Sequence, residues 1–176
     1  LLCLEAPYGT IVRYAAKANP YPEIIRLFDT LGLHFDACST YEAQMLLDLG
    51  TDPTKISLSS QSLEGPLKAV AERGVLLVAT SLHQLKILAD LGIVECGLRV
   101  NPGIGSGHNN RTNVGGPASS FGLWYEYLDQ AIKLADERNT KITRLHTHIG
   151  SGADPSVWRS VIQKSLGVAQ QLPDVV

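Results

Sequence analysis

The regular spacing of short apolar segments restricts this chain to a small set of folds. Strand-like runs begin near five residues at steps of about 20 to 22 positions, and each run precedes a helix-like pattern. Strands that alternate with helices at such a spacing form βαβ units and a parallel sheet. The chain is therefore predicted to be an α/β protein. The predicted strand starts are Ile11, Leu33, Lys55, Val75 and Glu95.

Start and stop signals mark the helices between these strands. Pro22 is predicted to open the first helix, and Gly32 to end it. A serine followed three residues later by a glutamate or glutamine is a capping box, whose side chains satisfy the first N–H groups of a helix. The other predicted helix starts are Ser39 with Glu42, Ser62, Ser81 with Gln84, and Asp154 with Pro155.

The turn after the first strand favours a barrel over a doubly wound dinucleotide-binding sheet. A dinucleotide-binding fold needs a glycine-rich turn there, whereas this turn reads Lys17-Ala18-Asn19-Pro20. Barrel proteins concentrate their chemistry at the carboxyl ends of the strands. We therefore predict a TIM-type (β/α)8 barrel. Polar residues recur at the predicted strand ends, namely Lys17, Asp36, Ser59, Ser60, Arg99, Asn101 and His148.

The predicted units are fewer than a complete barrel requires. We expect about six βα units, whereas a whole barrel has eight in roughly 250 residues. Residues 102–122 are predicted to be a long loop, followed by a helix over 125–138 and a sixth strand over 142–148. The last helix is predicted to bury Val157, Trp158, Val161 and Ile162. The whole chain, residues 1–176, is thus expected to be one partial barrel.

Composition argues against several functional classes. The net charge of the 176 residues is −2, and no lysine or arginine cluster occurs, so nucleic acid is not an expected partner. The cysteines Cys3, Cys38 and Cys96 lie far apart without metal-ligand spacing, as in proteins with reduced thiols. Glu5 interrupts the apolar start long before the length of a membrane span. We predict a soluble, cytoplasmic protein without a membrane segment or metal site.

Lys17 is the first candidate catalytic residue. It closes the apolar run that begins at Ile11, and alanines flank it on both sides. Lysine is rarely buried without a partner, and a desolvated lysine favours its neutral amine. A neutral amine can form a covalent bond with the carbon of an aldehyde. The alternative is a lysine that extends from a strand end into solvent, and the residues alone leave both interpretations open.

The end of the sixth predicted strand carries two histidines. With a period of two, Arg144, His146 and His148 share one face. Two histidines at this spacing can bind a metal ion, as in some barrel hydrolases. They can also lie against a planar cofactor whose phosphate binds Gly150-Ser151-Gly152. A buried, hydrogen-bonded histidine beside an ordinary turn is the third interpretation.

Five motifs occur in order along the chain: Tyr14-Ala15-Ala16-Lys17-Ala18-Asn19; Phe35-Asp36-Ala37-Cys38-Ser39 with Glu42; Leu98-Arg99-Val100-Asn101-Pro102-Gly103; Phe121-Gly122; and His146-Thr147-His148-Ile149-Gly150-Ser151-Gly152. Together they resemble the pyridoxal-phosphate-dependent decarboxylases with an alanine-racemase-like barrel. Within that family the third and fifth motifs are most similar to the diaminopimelate decarboxylases. The resemblance extends from Ile11 to about Trp158.

The resemblance implies roles for the matching residues. Lys17 would bind pyridoxal 5′-phosphate covalently, and His148 would stack on the cofactor ring, so these two are the expected catalytic residues. Ser151 would bind the phosphate together with the neighbouring glycine backbone. Glu42 fits a family position, although its capping role explains it equally well. The implied cofactor contacts are Lys17, Asp36, Arg99, His148, Gly150, Ser151 and Gly152, with Asp36 and Arg99 as a charged pair near Lys17.

The resemblance also implies an activity. The expected reaction is the decarboxylation of meso-diaminopimelate to lysine in lysine biosynthesis, by a homodimer that binds a small amino-acid substrate. The alternatives are a decarboxylase of ornithine, arginine or carboxynorspermidine, and a non-catalytic homologue that binds pyridoxal phosphate. The end of the barrel and the C-terminal β-domain of the family are expected to be absent from the chain. Ser119-Ser120 precede Phe121-Gly122 where the family often has a basic residue, which argues against an intersubunit ion pair there.

Overall fold

Strands and helices alternate along the chain. The structure is a computed structural model that describes residues 9–105, 119–148, 150, 152 and 154–175. Every strand pair with an assigned register is parallel, which confirms the predicted α/β class. The elements are β1 Arg13–Ala15, α1 Pro22–Thr30, β2 His34–Ala37, α2 Thr40–Asp48, β3 Ile56–Ser59, α3 Leu67–Glu72, β4 Leu76–Ala79, α4 Leu82–Asp90, β5 Glu95–Asn101, β6 Leu123–Trp124, α5 Leu128–Glu137, β7 Lys141–His146 and α6 Pro155–Ala169.

The contacts within the chain divide it into two compact units, Leu1–Leu77 and Val78–Val176. In the first unit, β2 lies between β1 and β3. Phe35 and Ala37 of β2 are fully buried, while Asp36 between them lies on the opposite face and is half-buried. Because parallel strands end at the same edge, the residues that follow β1, β2 and β3 are neighbours at that edge.

In the second unit β5 is the central strand and pairs with β4, β6 and β7. The register between β5 and β7 shifts at Thr143, because Cys96 pairs with Ile142 but Gly97 pairs with Arg144. This bulge reverses the alternation of side chains along the strand. Thr147, just beyond β7, therefore turns towards α6, where its hydroxyl lies 3.1 Å from that of Ser165.

Most predicted helix starts are confirmed. The first helix begins at Pro22, and Gly32 follows its end with a φ of 80°. Ser39 and Ser81 are N-caps, and their hydroxyls accept the N–H groups of Glu42 and Gln84. The last helix begins at Pro155, after an Asp154 carboxylate that accepts the N–H of Ser156 at 2.8 Å. Within the described ranges, no helix combines the length and apolarity needed to cross a membrane.

The predicted cap at Ser62 is wrong. α3 begins at Leu67, after Pro66, and no side chain caps it. Ser62 instead belongs to the preceding turn, where its carbonyl accepts the hydroxyl of Ser60 at 2.6 Å. The Gly65–Pro66 pair lies between this serine and the helix. Gly65 has a φ of 85°, so the turn that contains Ser62 cannot continue into α3.

Two further expectations differ from the structure. The short strand β6 was not predicted, and with it the described residues form seven strands where six βα units were expected. It pairs with the end of β5 through Leu123 and Trp124, a length too short to show a period. In α6, Val161 is buried as predicted, but Trp158 and Ile162 are 44% and 51% exposed. That the whole chain forms one partial barrel domain stays a prediction.

Candidate cofactor site

Lys17 lies in a single 3-10 turn, Ala16–Ala18, directly after β1. Ala16 is fully buried, which anchors the turn, whereas the Lys17 side chain is exposed. Asn19 closes the turn: its side chain accepts the N–H of Tyr21 at 3.1 Å. Lys17 is therefore not buried, and its side chain extends from the strand end into solvent. An exposed amine is open to an incoming aldehyde.

The neighbouring strand ends add a carboxylate and a free hydroxyl. Asp36 lies opposite Ala15 of β1 in the sheet, and thus close to the turn that carries Lys17. Ser59, at the end of β3, is only 8% exposed, and its hydroxyl has no hydrogen-bond partner in the described part of the chain. A buried polar group without a partner costs about 1–3 kcal/mol. A ligand at this edge would remove that cost.

Cys38 follows β2 and is held by Glu42. The Cys38 N–H donates to Glu42 Oε2 at 2.9 Å, and its thiol donates to Glu42 Oε1 at 3.1 Å. Burial raises the pKa of the Cys38 thiol to about 11, and the hydrogen bond and charge of Glu42 act in the same direction. The charge of Lys17 acts oppositely, so Lys17 lies within electrostatic range of the thiol. Sequence reasoning missed this role for Cys38; its only signal was its place between a strand and a capping serine.

In the second unit, Arg99 projects from β5 beneath a tightly packed loop. Its guanidinium carbon lies 5.3 Å from the centre of the Phe121 ring, a cation–π contact. The next residue, Gly122, has a φ of 84°, and a Cβ there would lie 3.1 Å from the Arg99 carbonyl oxygen. The Phe-Gly motif therefore places an aromatic ring on Arg99 in a way that requires glycine.

His146 lies beside Arg99 in the register of β5 and β7. Its pKa is lowered to about 4, first by burial and then by electrostatic interactions with Arg99 and His148. The imidazole of His146 is therefore neutral at pH 7. Arg99 and His146 are thus neighbours on adjacent strands, while the predicted contact of His148 with a cofactor stays a prediction. No cluster of three or more histidine, cysteine or acidic side chains that could hold a metal ion occurs among the described residues.

His148 and Gly150 lie on the wall of an open groove of about 480 Å³. Gly150 has a φ of 105°, which favours glycine, and the Gly152 carbonyl accepts the indole N–H of Trp158 at 2.9 Å. Ser151 lies outside the described residues, so its contact with a phosphate stays a prediction. The exposed face of α6 forms the other wall of the groove, which is lined by Leu145, Trp158, Ile162 and Leu166.

The groups found in each unit fit the chemistry of pyridoxal phosphate. The first unit offers the exposed amine of Lys17 and the unpartnered hydroxyl of Ser59. The second offers a guanidinium, an exposed imidazole and a glycine turn. An aldehyde needs the amine, and a phosphate needs cationic and backbone donors. The predicted charged pair of Asp36 and Arg99 stays a prediction.

Comparison with known proteins agrees with this chemistry. Residues 4–175 match the family described as "Pyridoxal-dependent decarboxylase, pyridoxal binding domain". A curated diaminopimelate decarboxylase of Streptomyces coelicolor is 35% identical over 162 residues, which are 87% of this chain and 36% of that protein. A probable ornithine decarboxylase of Dictyostelium discoideum is 30% identical over 142 residues, or 79% of this chain and 30% of that protein.

A solved structure shares the fold. A crystal structure of diaminopimelate decarboxylase superposes with a TM-score of 0.85 at 29% identity, over 93% of this chain and 40% of that one. The predicted barrel fold of the decarboxylases is thereby confirmed. The chain spans well under half the length of each of these relatives, 36% and 30% of the two curated proteins.

Proposed function

Because this chain belongs to the family of pyridoxal-dependent decarboxylases, as their pyridoxal-binding domain, we propose that it serves the conversion of meso-diaminopimelate to lysine and CO2. The observation that carries the proposal is its likeness, over most of its length, to a curated diaminopimelate decarboxylase. The pathway served would be lysine biosynthesis, and pyridoxal 5′-phosphate the cofactor.

We assign the covalent attachment of the cofactor to Lys17 Nζ. Its exposed position on a turn anchored by Ala16 supports this assignment, since the amine can reach an aldehyde without rearrangement of the core. Asp36 provides negative charge at the same strand edge. The hydroxyl of Ser59 is available to a ligand there. Bound pyridoxal phosphate supplies the electron sink for the carbanion that remains when CO2 leaves.

The residues of the second unit orient the cofactor in this proposal. His148 packs on the ring, and Ser151 with the backbone of Gly150 and Gly152 binds the phosphate. Arg99, held under Phe121, supplies a fixed positive charge. His146 is a neutral imidazole at pH 7, because its pKa is lowered to about 4, and so adds no second charge beside the guanidinium.

Borohydride reduction after incubation with pyridoxal phosphate tests the assignment of Lys17. The protein should show an absorbance band at about 420 nm, and reduction should fix a pyridoxyl group on the peptide that contains Lys17. Lys17→Ala should lose both signals. Lys68→Ala removes another exposed lysine of the same unit, paired only loosely with Glu72 at 3.8 Å, and should keep them. Labelling that persists in Lys17→Ala would remove Lys17 from its role.

A related decarboxylase is the second candidate, and the similarity to a probable ornithine decarboxylase supports it. Release of CO2 from meso-diaminopimelate, ornithine, arginine and carboxynorspermidine, each supplied alone, separates these substrates. A protein that is labelled at Lys17 but releases CO2 from none of them would be a non-catalytic pyridoxal-phosphate-binding homologue.

We further propose that the protein works as a homodimer in the cytoplasm. The free thiols of Cys38 and Cys96 are consistent with a reducing compartment. The homodimer is carried over from the family resemblance alone. Light scattering coupled to size-exclusion chromatography measures the mass directly, and a monomer at all concentrations would contradict it.

A further inference from the structure

Glu42 does more than cap its helix. A capping serine needs only the Glu42 N–H, which donates to Ser39 Oγ at 3.1 Å. The carboxylate itself reaches back to Cys38 and uses both of its oxygens there, one for the backbone N–H and one for the thiol. Cys38 is therefore fixed in its backbone and in its side chain by one anionic group.

The fixed thiol lies at the strand edge that also carries the proposed nucleophile, since Ala15 pairs with Asp36 and Lys17 and Cys38 each follow two residues later. The charges of Lys17 and Asp36 both act on the Cys38 thiol, in opposite directions. A thiolate is the reactive form of cysteine. If it formed here, its electron pair would add to an aldehyde carbon, the C=O π electrons would pass to oxygen, and that oxygen would take a proton from water. A protonated thiol holds the same electron pair in its S–H bond.

We propose that Glu42 is a positioning residue that acts through Cys38: its carboxylate fixes the turn after β2 and keeps the thiol a hydrogen-bond donor. The thiol is thereby kept from competing with Lys17 for an aldehyde. The aldehyde part of this inference rests on the proposed function. The part that concerns the thiol does not, because it follows from the contacts of Glu42 alone.

The turn after β4 is held by a neutral side chain in the position that Glu42 has after β2, and it indicates which substitution of Glu42 to test. In the turn after β4, Gln84 Oε1 accepts both the N–H of Thr80, at 2.9 Å, and its hydroxyl, at 3.0 Å. One amide oxygen is therefore enough to hold such a turn. In Glu42→Gln the single amide oxygen can still accept the Cys38 N–H, as that of Gln84 accepts the Thr80 N–H, while the negative charge and the second acceptor oxygen are lost.

Alkylation of the cofactor-free protein by iodoacetamide between pH 6 and 10, read peptide by peptide by mass spectrometry, tests the inference. In Glu42→Gln the pKa of the Cys38 thiol should fall from its raised value of about 11, so that Cys38 is alkylated faster than in the wild-type protein at every pH of this range. The rate at pH 8 should rise about threefold for each unit of that fall, because a more acidic thiolate is also less nucleophilic. Cys96 is the internal reference, since burial and not a carboxylate raises its pKa to about 11.

Lys17→Met supplies a second measurement of opposite sign. Loss of the positive charge should raise the pKa of the Cys38 thiol and therefore slow its alkylation at every pH between 6 and 10. An unchanged Cys38 profile in Glu42→Gln would overturn the inference, and so would an equal acceleration at Cys96, which would indicate general opening. The alkylation result is independent of cofactor labelling at Lys17, so a failure of the proposed function and a failure of this inference are distinguishable.

Discussion

The turns that follow β2 and β4 share one backbone design and differ by one charge. In each, a serine caps the helix, and the third helical residue turns its side chain back to accept the N–H of the residue before the cap. That N–H lies 2.9 Å from its acceptor in both turns. The residues are Cys38, Ser39 and Glu42 in the first turn, and Thr80, Ser81 and Gln84 in the second.

The comparison of Glu42 with Gln84 indicates that the negative charge of Glu42 is not needed to hold its turn. Gln84 is only 5% exposed, and a neutral amide is far less costly to bury than a carboxylate. Since Gln84 holds its turn without a charge, the turn itself does not require one. The carboxylate of Glu42 lies in the same unit as Lys17. The positive charge of Lys17 is an electrostatic partner that the turn at Gln84 is not shown to have.

Exchanging the two side chains gives the largest expected effect on stability. Gln84→Glu would place a carboxylate in a buried turn and should destabilise the second unit by about 3 kcal/mol. Glu42→Gln should change the stability of the first unit by less than about 1 kcal/mol. Urea unfolding followed by tryptophan fluorescence reports on the second unit, because both tryptophans, Trp124 and Trp158, lie there. Far-ultraviolet circular dichroism in the same urea series includes the first unit, and equal losses of stability in the two variants would contradict the inferred difference between the turns.

Acid should lower the stability of the second unit through protonation of His146. Its pKa is about 4 in the folded protein and about 6.5 when unfolded, so between these pH values the unfolded chain binds more protons. Stability is therefore complete above pH 6.5 and is lost as the pH falls towards 4. Because the ring is partly exposed, we expect a loss of about 2 kcal/mol.

His146→Asn should remove this part of the acid sensitivity of the second unit, measured as the difference in urea midpoint between pH 7 and pH 4.5. His34→Asn is the matched control in the first unit. The pKa of His34 is also lowered, by burial and by Arg13 and Lys55, so its own contribution has the same sign. A wild-type dependence that survives in His146→Asn would contradict the assignment.

Periodicity and cap signals were sufficient for the strand–helix repeat, because each unit buries a similar apolar face and uses similar turn residues. They did not predict the features that depend on backbone geometry. The β6 pairing depends on the close approach of Gly122 to β5, and the facing of β7 depends on a bulge at Thr143. The start of α3 depends on the Gly65–Pro66 pair and not on the serine before it.

The same limit applies to the candidate site. Strand ends identified Lys17, Asp36 and Arg99, because chemistry in this class of fold collects at one edge of the sheet. The capping box predicts that the Glu42 side chain turns back towards the N–H of the capping serine, whereas its carboxylate reaches one residue further, to the N–H and thiol of Cys38. The buried Ser59 hydroxyl, which has no partner among the described residues, is likewise not visible in any local pattern.

The two capping serines provide the smallest and most direct test of the shared design. Ser39 Oγ and Ser81 Oγ accept N–H groups at 3.1 and 3.2 Å, so Ser39→Ala and Ser81→Ala should each cost about 1 kcal/mol. Far-ultraviolet circular dichroism in urea, compared with tryptophan fluorescence, assigns each loss to its unit. If Ser39→Ala cost clearly more than Ser81→Ala, the turn beside Lys17 would depend on its cap more than its neutral counterpart does. The two turns would then differ in more than the charge of Glu42.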